Sequence, residues 1–223
     1  MILAIDTATK WTGLALYDGR TLLAETGWHS TNTHTVELAP SVDELLRRTG
    51  IQATDLAAVA VAIGPGSYTG LRIGLGFAKG LALANQTRLI GVPTLDIVAA
   101  SQTYSEGQLV AIAEAGRSRV CAGLYQWRGK KGWQSPEPPI IDSWQNLLDS
   151  LDGPVIFAGE INPAAAKLIR AAGKSFQIAN AMNSARRAGY LAEIGWQRLR
   201  RGWVDDPATL APIYLRNPAE TSA

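Results

Sequence analysis

The sequence is poor in the residues that bind metals and form disulfides. Among its 223 residues, Cys121 is the single cysteine and His29 and His34 are the two histidines. One cysteine excludes an internal disulfide. The histidines are five positions apart, about 140° around a helix, whereas zinc sites on helices prefer spacings of three or four. No histidine is spaced to serve Ser67 as a base. The sequence therefore predicts no metal site and no catalytic residue.

Long apolar runs and an excess of one charge are also missing. No uninterrupted apolar run reaches the roughly 20 residues that a membrane-spanning helix needs. The start of the chain, residues 1–6, lacks the basic lead of a signal peptide. Charged residues make up 18% of the chain and the net charge is +2, which does not indicate a nucleic-acid-binding protein. We therefore expect a globular, cytoplasmic protein that does not bind membranes.

Positive charge is concentrated near the end of the chain. This cluster consists of Arg186, Arg187, Arg198, Arg200 and Arg201. Such a cluster is typical of a solvated helix face, and it is also compatible with contact to RNA phosphates or to an acidic partner.

What the chain does contain is a regular succession of strands and helices. The first half predicts strands over 2–6, 12–18, 21–26, 57–63 and 88–92, with helices over about 35–49, 70–85 and 94–102. This order predicts a mixed sheet with helices on both faces. The second half of the chain loosely repeats this order of strands and helices. It predicts strands at 108–113, 119–127, 138–141, 155–158 and 175–178 and a long helix over 184–202. We therefore expect two domains, 1–104 and 105–223.

A glycine-rich segment, residues 64–74, lies between the fourth strand and the second helix. Such turns often hold an anion. However, this one continues as Thr69-Gly70-Leu71-Arg72, whereas a P-loop would end in Gly-Lys-Ser/Thr. The helix that follows has one stripe formed by Gly70, Gly74, Ala78 and Leu81 and another formed by Gly76, Gly80 and Leu83. Its glycines cost roughly 2–4 kcal/mol in helix propensity, so close packing must offset them.

An acidic turn after the first strand is the candidate nucleotide site. Asp6, Thr7 and Thr9 stand where actin-like ATPases hold Mg²⁺ and phosphate, and they could equally satisfy amides of the turn. The matching turn of the second half, residues 113–117, carries Glu114 and no aspartate. The segment 157–160, where the adenosine of a nucleotide would bind, contains only one glycine. This pattern predicts at most a vestigial nucleotide site.

Several segments resemble the TsaB (YeaZ) family of bacterial tRNA-modification proteins. They are residues 2–9, 37–46, 64–74, 91–95 and 212–216. The resemblance implies an α/β, actin-like (ASKHA) fold with two ribonuclease H-like domains, each with a mixed five-stranded sheet flanked by helices. It also implies a non-catalytic dimerization subunit of the complex that forms N6-threonylcarbamoyladenosine at position 37 of tRNAs reading codons that begin with A.

The resemblance further implies which partners and surfaces are used. The chain would assemble with a TsaD-like catalytic subunit and a TsaE-like ATPase, and it would meet tRNA through this complex. On its own it would form homodimers. ATP and metal would sit on the partner subunits, with no cofactor of its own. The expected interface comprises Leu38, Val42, Leu45, Gly70, Leu71, Gly74, Phe77, Ala78 and Leu81. The alternative is a stand-alone actin-like ATPase or a peptidase-like hydrolase.

Overall fold

A computed structural model describes residues 1–30, 34–114, 119–173 and 175–215. Contacts divide the chain into two compact units. The first comprises residues 1–97 and 187–213, and the second comprises residues 98–186 and 214–223. Among the described residues, none of the helices is both long and apolar enough to cross a membrane.

The first unit is built on a five-stranded mixed sheet in the order β3-β2-β1-β4-β5. Its strands are β1 (Ile2–Asp6), β2 (Trp11–Tyr17), β3 (Leu22–His29), β4 (Ala58–Ala62) and β5 (Arg88–Val92). Its helices are α1 (His34–Thr49), α2 (Tyr68–Asn85) and α7 (Ala188–Arg200), and α3 (Thr94–Ala100) begins in this unit. Strand β1 pairs antiparallel with β2 and parallel with β4. The expected mixed five-stranded sheet is confirmed for this unit.

The central strand β1 is buried on both faces, which explains its apolar run over residues 2–5. Leu3 and Ile5 belong to the core cluster that includes α1 and α2. Ile2 and Ala4 belong to the cluster that includes α7. Because side chains alternate along a strand, α1 and α2 cover one face of the sheet and α7 covers the other.

Helix α7 approaches its face of the sheet closely because the residues there are small. A Cβ on Gly195 would lie 2.7 Å from the Cβ of Ala60. The predicted boundary between residues 104 and 105 assigns this helix to the second domain, whereas the contacts assign residues 187–213 to the first. The difference arises because α7 supplies the apolar cover that the sheet of the first unit needs.

The second unit contains a mixed sheet with helices α4 (Trp144–Ser150), α5 (Pro163–Ala171) and α6 (Ala181–Ser184). Its strands are β6 (Gln108–Glu114), β7 (Arg119–Trp127), β8 (Trp133–Gln134), β9 (Ile140–Ser143), β10 (Val155–Gly159) and β11 (Phe176–Ile178). The order is β11-β10-β6-β7-β8, and β9 also pairs with β7. Within the described residues the sheet therefore has six strands, so the expectation of five was wrong. The sixth, β8, closes a short hairpin with β7 in the segment 128–139, which the sequence predicted as a loop or a ragged hairpin.

Candidate functional site

The glycine-rich loop before α2 is fixed by hydrogen bonds within the first unit. The N–H of Gly64 donates to Oγ1 of Thr94 at 3.0 Å, and the N–H of Ser67 donates to the carbonyl of Ala8 at 2.6 Å. Ser67 caps α2, since its Oγ accepts from the N–H of Gly70 at 3.2 Å. These three amides are therefore used to position the helix, and they are not available to hold a phosphate.

The three residues of the predicted nucleotide site lie beneath this loop. Asp6 and Thr7 have no exposed surface, and Thr9 is buried. Oδ1 of Asp6 accepts from the N–H of Ala8 at 2.9 Å, as in an Asx turn, and Oγ1 of Thr7 donates to the carbonyl of Gly70 at 2.7 Å. This arrangement favours a packing role for the three residues over nucleotide binding.

Two glycines of α2 make this close approach possible. A Cβ on Gly70 would lie 2.1 Å from the carbonyl oxygen of Thr7, and one on Gly74 would lie 2.1 Å from its Oγ1. In contrast, a Cβ on Gly76 or Gly80 would meet nothing within 4 Å. The helix thus carries one pair of glycines against its own sheet and one pair on its exposed side.

Most of the residues expected to contact a partner face the interior of the chain. Leu38, Val42, Leu45, Leu71 and Ala78 are buried in the two core clusters of the first unit. They have little exposed surface in the isolated chain, and their contact with a partner stays a prediction.

The remaining four residues of the expected interface, two glycines and two larger residues, also differ in burial. Gly70 and Gly74 are buried, whereas Phe77 and Leu81 are half-buried. An arginine at Gly74 would therefore disrupt the first unit itself instead of testing an interface.

The exposed sides of α1 and α2 form a different surface, which we call the outer face. It comprises Val36, Ala39, Tyr68, Arg72, Gly76, Gly80 and Leu83. Val36 is 67% exposed and Leu83 is 77% exposed, which is unusual for aliphatic side chains on helices. The sequence contained a signal for it, since Arg72 shares a stripe with Gly76, Gly80 and Leu83 and marks that stripe as the one facing solvent.

The two histidines and the cysteine make contacts within the fold. The ring of His34 is buried, with Nδ1 3.3 Å from Oγ of Ser30 and Nε2 3.1 Å from the carbonyl oxygen of Thr9. His29 makes an edge contact with Trp11. Within the described ranges, no three histidine, cysteine or acidic side chains are grouped so that they could hold a metal ion.

Cys121 is buried in β7, and desolvation raises the pKa of its thiol to about 11. We expect this thiol to react with maleimide or disulfide reagents at least about 100-fold more slowly than a free cysteine at neutral pH, because so little thiolate is present. The rate should rise as the pH approaches the raised pKa. Labelling of native and urea-unfolded protein, followed by mass spectrometry, measures the difference. Equal rates in the two states would contradict the buried position.

Two arginines of the C-terminal cluster are bound within their own units. The guanidinium of Arg186 is almost fully buried, with Nη1 3.1 Å from Oε1 of Glu160. In the first unit, Nε of Arg187 donates to Oε2 of Glu25 at 3.0 Å. Arg186 is therefore inaccessible to an external anion, whereas Arg187 pairs with Glu25 while its side chain stays 54% exposed.

The other three arginines of the cluster lie at the end of α7. Arg198 forms an ion pair with Asp96 at 3.6 Å. Arg200 and Arg201 are exposed, and Arg201 lies 5.1 Å above the ring of Trp203. Of the five arginines that the sequence grouped together, three are exposed, and one of these, Arg187, is paired with Glu25.

The second unit has a cavity of about 520 Å³ at the carboxyl ends of β6 and β10. Several polar residues that line it form hydrogen bonds with one another. Oε2 of Glu160 accepts from the N–H of Glu114, and Oε1 of Glu114 accepts from the side-chain amide of Asn162. The glycine expected to receive an adenosine, Gly159, would place a Cβ 2.2 Å from the carbonyl of Ile112. Of the acidic turn expected over 113–117, residues 115–117 lie outside the described residues.

Two helix-flanked mixed sheets with this strand order define an actin-like α/β protein. The family model of tRNA N6-adenosine threonylcarbamoyltransferase, TsaD, matches residues 28–219. The tRNA threonylcarbamoyladenosine biosynthesis protein TsaB of Bacillus subtilis is 33% identical over 96% of this chain and 93% of its own length. TsaB of Escherichia coli is 31% identical over 97% of this chain and 94% of its own length. The chain belongs to the TsaB family.

A solved structure supports the same fold. YeaZ from Pseudomonas aeruginosa superposes with a TM-score of 0.78 over 96% of this chain and 99% of that chain, at 23% sequence identity. The actin-like fold predicted from the sequence is thereby confirmed.

Proposed function

We propose that this chain is a non-catalytic subunit of the complex that forms N6-threonylcarbamoyladenosine at position 37 of tRNAs reading codons that begin with A. It would pair with a TsaD-like catalytic subunit, with a TsaE-like ATPase joining the assembly in the cytoplasm, where tRNA is modified. Its relatives of B. subtilis and E. coli carry the name of this biosynthetic route.

The outer face of α1 and α2 is the observation that carries the proposal of a partner. Gly76 and Gly80 leave the backbone of α2 open to close approach, and Leu83 and Val36 add apolar surface beside polar residues. A small-residue helix face allows a second helix to pack at short distance, and the exposed aliphatic side chains gain from burial. The same surface would hold two copies of this chain together in the absence of the catalytic subunit.

The surroundings of the acidic turn support a non-catalytic role. A nucleotide-hydrolysing actin-like protein needs an accessible carboxylate for hydrated Mg²⁺ and free amides for phosphate. Here Asp6 is fully buried, and the loop amide of Ser67 is bonded to Ala8. The two histidines are five positions apart, so they do not form a His-x-x-x-His pair. ATP and metal would accordingly be bound by the partner subunits.

Reconstitution tests the proposal. We expect the purified chain to show neither ATP hydrolysis nor peptidase activity, and to restore threonylcarbamoyladenosine formation when mixed with its TsaD-like and TsaE-like partners. Light scattering of each mixture gives the mass of the assembly, and mass spectrometry of digested tRNA gives the product. Turnover by the isolated chain that is lost in Asp6→Asn would instead establish the alternative, a stand-alone ATPase or hydrolase.

A further inference from the structure

The hairpin between β7 and β8 in the second unit carries a cluster of unpaired positive charge. Its tip contains Arg128, Lys130 and Lys131, all exposed. Arg128 donates to the amide oxygen of Gln126 at 2.7 Å. In the described part of the chain, none of the three cations has a carboxylate within ion-pairing distance. This cluster contrasts with the arginines at 186, 187 and 198, each of which is paired.

A cluster of aromatic rings in tilted and edge-to-face contact lies at the base of the same hairpin. The rings of Tyr104 and Trp127 are 5.4 Å apart, and those of Trp127 and Trp133 are also 5.4 Å apart. Trp133 is buried, and its Nε1 donates to the carbonyl of Thr103 at 3.3 Å. Tyr104 is the outermost ring, and it is 60% exposed. The exposed ring of Tyr104 is therefore held by its contact with Trp127, which directly precedes Arg128 in the hairpin.

The hairpin tip is held in one conformation by its own backbone. The N–H of Arg128 donates to the carbonyl of Gly132 at 2.9 Å, and the N–H of Gly132 donates to the carbonyl of Gly129 at 3.0 Å. Both glycines have positive φ angles, +58° and +69°. The side chain of Gln134 donates to the carbonyl of Lys131 at 2.9 Å. A fixed backbone lowers the entropy lost when the cations bind a ligand.

We propose that this hairpin and Tyr104 form an RNA-binding site for an unpaired segment of the tRNA. Phosphates would contact Arg128, Lys130 and Lys131, and a base would stack on Tyr104. Unpaired RNA fits because its backbone is anionic while its bases offer flat faces that stack on aromatic rings. The inference rests on the proposed function for its choice of RNA, and it adds a surface separate from the outer face of α1 and α2.

The phosphate contacts are tested by the salt dependence of tRNA binding. We compare the wild-type chain with Lys130→Ala/Lys131→Ala and with the matched control Arg200→Ala/Arg201→Ala, using fluorescence anisotropy and a labelled tRNA transcript. The slope of log K against log salt is negative. Loss of two phosphate contacts should make it shallower by about 1.4–1.8, and the control should keep the wild-type slope. Equal slopes in all three proteins, or no tRNA binding by the wild type at low salt, would overturn the proposal.

The stacking contact is tested separately at Tyr104. Tyr104→Ala should weaken tRNA binding roughly 5-fold or more, whereas Tyr104→Phe should retain the wild-type affinity because it keeps the ring. Polyglutamate serves as the competing polyanion. If it displaces tRNA from the wild type as well as unlabelled tRNA does, the hairpin is an acidic-protein site and the RNA assignment is wrong.

Failure of this inference can be distinguished from failure of the proposed function. The hairpin variants should still co-purify with the TsaD-like subunit, since the outer face is intact. A chain that assembles normally and whose hairpin variants bind tRNA as the wild type does would refute the RNA site alone. A chain that binds tRNA through the hairpin without assembling would refute the proposed partner instead.

Discussion

Replacement of Gly70 by alanine is expected to lower the free energy of unfolding by about 2–4 kcal/mol, although alanine is the better helix former. The new Cβ would lie 2.1 Å from the carbonyl oxygen of Thr7, which is backbone in the turn after β1 and cannot rotate away. Either α2 or that turn must shift, which breaks the bond from Thr7 to the carbonyl of Gly70. Urea denaturation followed by circular dichroism measures the change.

The matched control is Gly76→Ala in the same helix. Its Cβ would meet nothing within 4 Å, so the gain in helix propensity should raise the free energy of unfolding by about 0.5–1 kcal/mol. The two substitutions add the same methyl group six residues apart, and the structure predicts opposite signs. Destabilisation of similar size at both positions would show that the orientation of α2 is wrong.

Arginine at Gly80 is expected to weaken the complex with the TsaD-like subunit by at least about 100-fold while leaving the chain folded. The position is exposed, so a long side chain does not disturb the core of the isolated chain. A partner helix packed at short distance against this face would be pushed away, and the added charge would be buried without a counter-ion. Isothermal titration calorimetry with the purified partner measures the affinity.

Gln197→Arg provides the control for the added charge. This residue is exposed on α7, the helix that covers the opposite face of the same sheet. It should bind the partner as the wild type does, and both variants should keep the cooperative unfolding transition of a folded chain. Wild-type affinity in Gly80→Arg would exclude the outer face as the docking surface.

The strand and helix order could be predicted from the sequence because it depends on local patterns. Turn residues located the hairpin of β2 and β3, and α2 was predicted from residue 70, two residues after its first residue, Tyr68. The choice between the two small-residue stripes of α2 could not be made from periodicity alone. It depends on Thr7, more than 60 residues away in sequence, whose hydroxyl bonds to Gly70.

The packing of α7 on the first sheet was missed for a similar reason. A helix that returns from residues 188–200 to strands near the start of the chain leaves no local signature. Its fit depends on small side chains in distant strands, such as Ala60 opposite Gly195. The ion pairs of arginines 186, 187 and 198 could not be predicted either, since their acidic partners come from other parts of the chain.

The return of α7 has a consequence for the order of events during synthesis. Strands β1 to β5 leave the ribosome first, but the face formed by Ile2, Ala4 and Ala60 stays uncovered until residues 188–200 have also been made. Chains grow at about 5–20 residues per second. The nascent sheet therefore exposes an apolar face for the several seconds that separate translation of β5 from translation of α7, and this interval is when chaperones would bind it.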